Sequence, residues 1–152
     1  LDAAGKGINV SKVVRELGGR TKTIAFLGGA SGDYIKAELE KEKISLVEVA
    51  IDGETRTNIK IVDPKRNTYT DINDSGAAVS AEQLDLFEKK LVNYVTSQSV
   101  VVFTGSVPPG VSKDIYKTYI SRVQAIGATA VLDADGDLLK HGVQAGPKII
   151  KP

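Results

Sequence analysis

Hydrophobic and polar positions along the chain fall into alternating helical and strand periods. Apolar side chains recur at the three- and four-residue spacing of an amphipathic helix in residues 10–17, 34–39, 84–95 and 115–126. Short apolar runs of strand length occur at residues 23–27, 99–103, 128–133 and 148–150. From residue 80 onward strands and helices alternate, which predicts a parallel sheet with right-handed crossovers.

Local signals predict where several helices begin and end. Gly18-Gly19 follows the first helical pattern, as residues that tolerate the left-handed conformation do at a helix C-terminus. A second helix is expected to open at Gly32-Asp33. Ser80 and Gln83 have the spacing of a capping box before the third. Ser112 is expected to cap the fourth.

Residues 46–73 have a different pattern, in which apolar and polar side chains alternate along three segments of strand length. The turn composition of residues 63–67, which contains Pro64, predicts a hairpin between the last two segments. Alternation means that one face of each strand is exposed to water or covers something polar. We interpret the three segments as a small antiparallel flap, with a plain edge of the main sheet as the alternative.

The chain opens with a glycine-containing loop that leads directly into the first helix. Gly5 and Gly7 allow the backbone to approach a ligand closely, and Lys6 adds a positive charge. The helix N-terminus behind them offers unpaired N–H groups. This combination suits an anionic ligand, and a loop that only enters a surface helix is the alternative. Lys6 is not followed by Ser or Thr, which excludes a Walker A loop.

Other candidate chemistry lies in polar segments at strand ends. In parallel sheets, ligands bind beyond the carboxyl ends of the strands, where residues 104–110 and 133–137 are expected. The first of these loops also has a structural interpretation, as a rigid turn fixed by its two prolines. Arg56 near Asn58 could grip a phosphate at two points, with a solvated arginine as the alternative. His141 has no partner at a suggestive spacing.

Composition restricts the function further. Twenty basic and nineteen acidic residues give a net charge of +1, so no general attraction to nucleic acid or membrane is expected. The absence of Cys and the single His argue against disulfides and zinc sites. No membrane-length apolar run or signal peptide is visible, which favours a cytoplasmic protein. The chain contains no Met and ends in an apolar strand, so we expect a fragment of a longer protein.

Four co-ordered motifs together resemble one protein family over the whole chain. The resemblance is to the phosphofructokinase-B branch of the ribokinase-like sugar kinases. The motifs are Gly5-Lys6-Gly7-Ile8-Asn9-Val10, Thr55-Arg56-Thr57-Asn58, Gly105-Ser106-Val107-Pro108-Pro109-Gly110 and Lys151-Pro152.

The resemblance implies an α/β fold of ribokinase type. This is a three-layer structure, a parallel sheet with helices on both faces plus a small antiparallel β lid at about residues 46–73, here truncated at both ends. It also implies ATP-dependent phosphoryl transfer to a hydroxyl of a sugar phosphate, with Mg²⁺. Within the branch the chain resembles the 1-phosphofructokinases, which make fructose 1,6-bisphosphate from fructose 1-phosphate. Tagatose-6-phosphate kinases and 6-phosphofructokinases are the alternatives. The family's lid often forms a dimer contact, so a homodimer is expected.

The resemblance assigns roles to particular residues. Sugar contacts are implied for the first motif, a phosphate contact for the lid arginine and for the serine of the third motif, and nucleotide binding for the terminal lysine. The implied substrate-binding residues are Gly5, Lys6, Gly7, Asn9, Arg56, Asn58 and Ser106, and the implied ATP-binding residue is Lys151.

Departures from the family pattern suggest limits on activity. Ala4-Gly5 stands where family members commonly have two glycines. The Gly-Ala-Gly-Asp stretch with the catalytic base, the Mg²⁺-organising Asn-x-x-Glu region and the first strand are not in the chain, so the base is expected beyond Pro152. Phosphoryl transfer needs an oriented nucleophile and charge neutralisation. We therefore expect this polypeptide to be inactive by itself. A non-catalytic sugar-phosphate-binding module and an unrelated nucleotide-binding domain are the alternatives.

Overall fold

The computed structural model describes residues 2–152, and that part of the chain forms five α-helices, one 3₁₀ turn and seven strands. In chain order they are α1 (Lys6–Glu16), β1 (Lys22–Leu27), α2 (Gly29–Lys41), β2 (Ser45–Ala50), β3 (Ile59–Asp63), β4 (Thr68–Ile72), α3 (Ala81–Tyr94), β5 (Val100–Thr104), α4 (Ile115–Ala125), β6 (Thr129–Asp133), α5 (Gly136–Gly142), the 3₁₀ turn Val143–Ala145 and β7 (Ile149–Lys151).

The strands pair in two parallel sheets and one antiparallel hairpin. Strands β5, β6 and β7 lie side by side in parallel, as the alternating pattern after residue 80 predicts. Strands β3 and β4 form the predicted hairpin, with Ile59 opposite Ile72. The prediction that residues 46–51 belong to the antiparallel flap is wrong, because β2 pairs in parallel with β1. A strand's alternation shows its faces but not its partner.

The core consists of two clusters that the aromatic residues of α3 and α4 join. One cluster surrounds Ile120 and Leu132, both fully buried, between the β5–β6–β7 sheet and the C-terminal helices. The other surrounds the fully buried Leu39 of α2. Phe87 stacks on Phe26 of β1, with ring centroids 4.8 Å apart, and packs against Tyr119 at 5.5 Å. Helix α3 therefore connects the β1–β2 sheet to the cluster around Ile120, through Tyr119 of α4.

Helix α1 buries a different face from the predicted one. Ile8 and Ser11 are its buried residues, whereas Val13 is 53% and Leu17 is 82% exposed. Ser11 can be buried because its hydroxyl hydrogen-bonds the Thr23 hydroxyl at 2.8 Å, and a second threonine hydroxyl lies within 2.9 Å. Hydropathy does not report such a polar contact, so the apolar positions of residues 10–17 do not mark the most buried face of α1, although Val10 and Val14 are half-buried.

The observed first residue agrees with the sequence-based prediction for α3 and differs from it for α2 and α4. Ser80 Oγ accepts the N–H of Gln83 at 3.2 Å, and Gln83 Oε1 accepts the N–H of Ser80 at 2.8 Å, which confirms the capping box. The predicted cap at Ser112 is wrong, since α4 begins at Ile115 after Asp114. Helix α2 begins at Gly29 rather than at Gly32-Asp33. Within residues 2–152, no helix combines the length and the apolar character needed to cross a membrane.

Candidate functional site

The carboxyl ends of β5, β6 and β7 meet the N-terminus of α1. These strands end at Thr104, Asp133 and Lys151, which lie on one edge of the parallel sheet. A Cβ on Gly7 would lie 3.7 Å from the Thr104 methyl group, and one on Gly105 would lie 3.7 Å from Lys6 Cβ. The start of α1 therefore packs directly on the strand ends, where parallel sheets bind ligands.

Asp133 is the centre of the polar contacts at this edge. Its Oδ2 accepts a hydrogen bond from Thr104 Oγ1 at 2.6 Å, and its Oδ1 accepts one from Lys151 Nζ at 3.0 Å. Lys6 Nζ lies 3.8 Å from the same Oδ1. The Thr104 donation, followed by the contacts with Lys151 and Lys6, lowers the pKa of Asp133. The carboxylate thus connects the helix start to the last strand.

An open cleft of about 500 Å³ lies above these strand ends. Lys6, Asn9, Asp133 and Lys151 supply its polar atoms, and the valines of α1 (Val10, Val13, Val14) form an apolar wall. The two lysine side chains are 52% and 70% exposed, whereas the carboxylate is 17% exposed. Two accessible ammonium groups beside one largely covered carboxylate make the cleft suited to an anionic ligand.

A buried tyrosine fixes the loop that follows β5. The Tyr116 hydroxyl lies within hydrogen-bond distance of the carbonyl oxygens of Thr104, at 3.1 Å, and Gly105, at 3.0 Å. Its residue is 8% exposed, and burial raises the pKa of Tyr116 to about 12, so the hydroxyl stays a donor. Ser106 is the next residue after Gly105, and it is exposed. The role of Tyr116 was not predicted, because an apolar period treats an aromatic residue only as part of the core.

The segment before the hairpin is attached to the start of α2. Thr55 Oγ1 accepts the N–H of Gly28 at 2.9 Å and donates to the Gly28 carbonyl oxygen at 3.1 Å. The backbone N–H of Thr55 donates to the same carbonyl at 2.9 Å. The next residue, Arg56, is exposed, and its Cβ packs against Gly76 on the returning chain.

Asn58 and Asp74 connect the two chain segments at the base of the hairpin. Asn58 Oδ1 accepts the backbone N–H of Asp74 at 3.1 Å, and Asp74 Oδ2 accepts that of Thr57 at 3.4 Å. Hydrogen bonds from the backbone N–H groups of Gly76 and Thr57 lower the pKa of Asp74, with Arg56 adding a smaller effect. The carbonyl oxygen of the Asn58 amide is therefore engaged within the protein.

The predicted site residues divide into two groups in the structure. Lys6, Asn9 and Lys151 line the cleft, next to the glycines that begin α1. The residues Arg56, Asn58 and Ser106 are exposed and lie outside the cleft lining, at the hairpin base and in the loop after β5. Ligand contacts by all of these residues stay predictions.

The described part of the chain contains no preformed cluster of ligands for Mg²⁺. Residues 2–152 contain no group of three or more His, Asp or Glu arranged to hold a metal ion. Asp133 is already bonded through both oxygens to Thr104 and Lys151. These residues alone therefore do not fit a metal centre.

Similarity to known proteins extends over nearly the whole chain. A 1-phosphofructokinase of Borreliella burgdorferi is 34% identical over 150 residues, which cover 99% of this chain and 48% of the relative. A tagatose-6-phosphate kinase of Staphylococcus epidermidis is 32% identical over 152 residues, again 48% of its length. The chain thus spans about half the length of these relatives.

A solved structure shows the same fold. The crystal structure of a possible 1-phosphofructokinase from Thermotoga maritima superposes with a TM-score of 0.92 at 32% identity, covering 98% of this chain and 48% of that one. This likeness confirms the predicted ribokinase-like α/β fold with a small antiparallel sheet. Residues 1–152 match the pfkB family carbohydrate kinases throughout, and the chain belongs to that family.

Proposed function

We propose that this chain forms the sugar-phosphate-binding part of an ATP-dependent kinase whose whole protein converts fructose 1-phosphate to fructose 1,6-bisphosphate. The observation that supports it most is the convergence of Lys6, Asn9, Asp133 and Lys151 on one cleft at the ends of parallel strands. A cleft with exposed ammonium groups and an amide matches a ligand with both phosphate and hydroxyl groups.

The sugar binds beside the N-terminus of α1. Asn9 is exposed in the first turns of the helix, and its amide can both donate to and accept from sugar hydroxyls. Gly5 and Gly7 carry no side chain, so the sugar ring can approach the backbone there. The Lys6 ammonium lies 3.8 Å from Asp133 and remains exposed. It can therefore contact a bound anion as well as the Asp133 carboxylate.

The substrate phosphate binds to Arg56 and Ser106. Among residues 2–152, no carboxylate forms a salt bridge with Arg56, so its planar guanidinium has donors to offer a phosphate at two points. Ser106 adds a hydroxyl, and Asn58 a neighbouring amide. Lys151, whose side chain is 70% exposed beside Asp133, binds the phosphates of ATP.

Catalysis needs groups that the 152 residues do not contain. Residues 2–152 do not fit a metal centre, so charge neutralisation on the transferred phosphoryl group would have to come from groups other than these. The sequence has no Gly-Ala-Gly-Asp segment. We therefore expect this polypeptide, tested by itself, to bind a sugar phosphate without phosphorylating it. Release of ADP from MgATP and fructose 1-phosphate by the 152-residue chain would contradict this expectation.

The hairpin provides a surface for a homodimer. Ile59, Ile61 and Ile72 lie on one face of the β3–β4 pair and are each more than half exposed. An exposed apolar face on a two-stranded sheet is typical of a protein contact. Sedimentation of wild type and an Ile61→Lys variant tests this, and a wild-type monomer at high concentration would contradict it.

A calorimetric titration of the 152-residue chain tests the proposed function. Fructose 1-phosphate, fructose 6-phosphate, tagatose 6-phosphate and unphosphorylated fructose are compared as ligands. We expect fructose 1-phosphate to bind tightest and Arg56→Ala to weaken its binding by about tenfold or more, the loss of one charge-assisted contact. Arg66→Ala is the matched control, because Arg66 is an exposed arginine at the hairpin turn. Equal weakening by both variants, or no binding of any sugar phosphate, would contradict the proposal.

A further inference from the structure

Glu54 caps a helix from a distant part of the sequence. Its Oε1 accepts the backbone N–H of Ala30 at 3.2 Å, and its Oε2 accepts that of Ser31 at 3.1 Å. Both amides belong to the first turn of α2, where N–H groups have no partner within the helix. The helix follows Gly28, which has no side chain to cap it. The carboxylate therefore replaces the missing cap and faces the positive end of the helix dipole.

Three glycines shape the seat for this carboxylate and the residue after it. A Cβ on Gly29, which has φ +64°, would lie 2.2 Å from the Glu54 carboxyl carbon. One on Gly28 would lie 2.4 Å from the Gly53 carbonyl oxygen, and one on Gly32 would lie 3.2 Å from Thr55 Oγ1. A Cβ on Gly28 would overlap backbone atoms and one on Gly29 would displace the Glu54 carboxylate, whereas at Gly32 a small shift would be enough, so the first two glycines are the ones that the close approach requires.

The seat holds the segment that carries the phosphate-binding arginine. Glu54 and Thr55 are both bonded to the start of α2, and Arg56 is the next residue along the chain. Donation by the N–H groups of Ser31 and Ala30 lowers the pKa of Glu54, against the smaller opposing effects of desolvation and of the nearby Asp33 charge. The carboxylate is therefore ionised at neutral pH, when its hydrogen bonds are charge-assisted.

We propose that Glu54 is a positioning residue, which orients Arg56 for the substrate phosphate by fixing the base of the hairpin to the N-terminus of α2. This inference rests on the proposed function, in which Arg56 binds that phosphate. Glu54 itself does not touch the ligand. A residue that acts only through another loses its effect once the other is removed, and a double-mutant cycle detects this.

The experiment combines calorimetry with hydrogen exchange on the 152-residue chain. Glu54→Ala is expected to raise the Kd for fructose 1-phosphate about fivefold, with Glu54→Gln showing a smaller rise because an amide oxygen still accepts one N–H. In an Arg56→Ala background, Glu54→Ala should change the Kd no further. The control Glu82→Gln removes a carboxylate from the first turn of another helix, α3, and should leave the Kd unchanged.

Exchange at the amides of Ala30 and Ser31 separates the contact from the function. We expect both amides to exchange faster in Glu54→Ala and not in Glu82→Gln. An unchanged Kd in Glu54→Ala, or additive losses in the double variant, would overturn the positioning role. If wild type binds no sugar phosphate, the proposed function fails and the role in binding fails with it. Unchanged exchange in Glu54→Ala would overturn the contact itself.

Discussion

The Thr104 hydroxyl donates a hydrogen bond to Asp133 Oδ2 over 2.6 Å, so the last residues of two neighbouring parallel strands are joined through their side chains. We expect Thr104→Val, which keeps the shape and removes the donor, to lower the free energy of unfolding by about 1–2 kcal/mol. The reason is that a hydrogen bond to a charged acceptor is lost while the carboxylate stays in place. Urea unfolding of the two proteins measures the difference.

Thr104→Ser separates the hydroxyl from the methyl group of the same residue. Serine keeps the donor to Asp133 but loses the methyl group that faces Gly7. We expect it to retain most of the wild-type stability. If serine destabilises the protein as much as valine does, packing against the α1 start rather than the hydrogen bond accounts for the effect.

The contribution of Asp133 to stability should depend on pH. Hydrogen bonding by Thr104 and the nearby lysines lowers its pKa in the folded protein. The unfolded chain therefore binds more protons in this range, and the stabilisation is complete above the unfolded pKa of about 4 and is lost as pH falls through the lower folded value. We expect the difference in unfolding free energy between wild type and Asp133→Asn to shrink as pH falls from about 5 to about 2. A difference that stays constant over this range would contradict the assignment.

Tyr116 should couple stability to ligand binding. Its hydroxyl bonds to the carbonyls of Thr104 and Gly105, and the loop that they begin carries Ser106. We expect Tyr116→Phe to cost about 1 kcal/mol in urea unfolding and to weaken fructose 1-phosphate binding in calorimetry. Tyr119→Phe is the matched control on the same helix, because its hydroxyl makes a longer contact of 3.4 Å with the Leu84 carbonyl oxygen. Weaker binding in both variants would argue against a specific effect on the loop.

Local sequence signals predicted much of this fold. The continuous apolar runs predicted β1, β5 and β6, and the Ser80–Gln83 spacing predicted the start of α3, because each signal depends on neighbours in sequence. The parallel pairing of β2 with β1 was missed, since strand alternation does not specify a partner.

Three residues of the cleft lining were predicted as site residues through the family resemblance, and their ligand contacts stay predictions. Lys6, Asn9 and Lys151 were named in advance and lie together on the cleft. The connecting role of Asp133 and the cap supplied by Glu54 were not predicted. Both depend on hydrogen bonds between segments more than twenty residues apart, which no local pattern encodes.

The buried face of α1 provides a direct test of sequence pattern against structure. Ser11 is 4% exposed and bonds to the hydroxyls of Thr23 and Thr21, whereas Val13 is 53% exposed. We expect Ser11→Ala to destabilise the chain by about 1–2 kcal/mol, because buried hydroxyl partners lose a hydrogen bond. Val13→Ala should change the unfolding free energy by less than about 0.5 kcal/mol. If urea unfolding shows a larger loss of stability for Val13→Ala than for Ser11→Ala, the face that hydropathy predicts is the one that stabilises the fold.

Gly29 and Gly136 are a matched pair at the beginnings of two helices. Each is the first residue of its helix, α2 or α5, and each has a positive φ, +64° and +52°. They differ in their surroundings. A Cβ on Gly29 would overlap the Glu54 carboxylate, whereas one on Gly136 would have no atom within 4 Å.

Alanine at the two positions therefore separates backbone strain from displacement of the carboxylate. Gly136→Ala should cost about 1 kcal/mol in unfolding free energy, the cost of a left-handed conformation in a residue with a Cβ. Gly29→Ala carries the same strain and must also expel Glu54 from the α2 N-terminus, so we expect about 2–3 kcal/mol in urea unfolding. It should also weaken fructose 1-phosphate binding, which Gly136→Ala should leave unchanged. Equal stability losses would show that the Glu54 contact contributes nothing beyond the backbone conformation that Gly29 supplies.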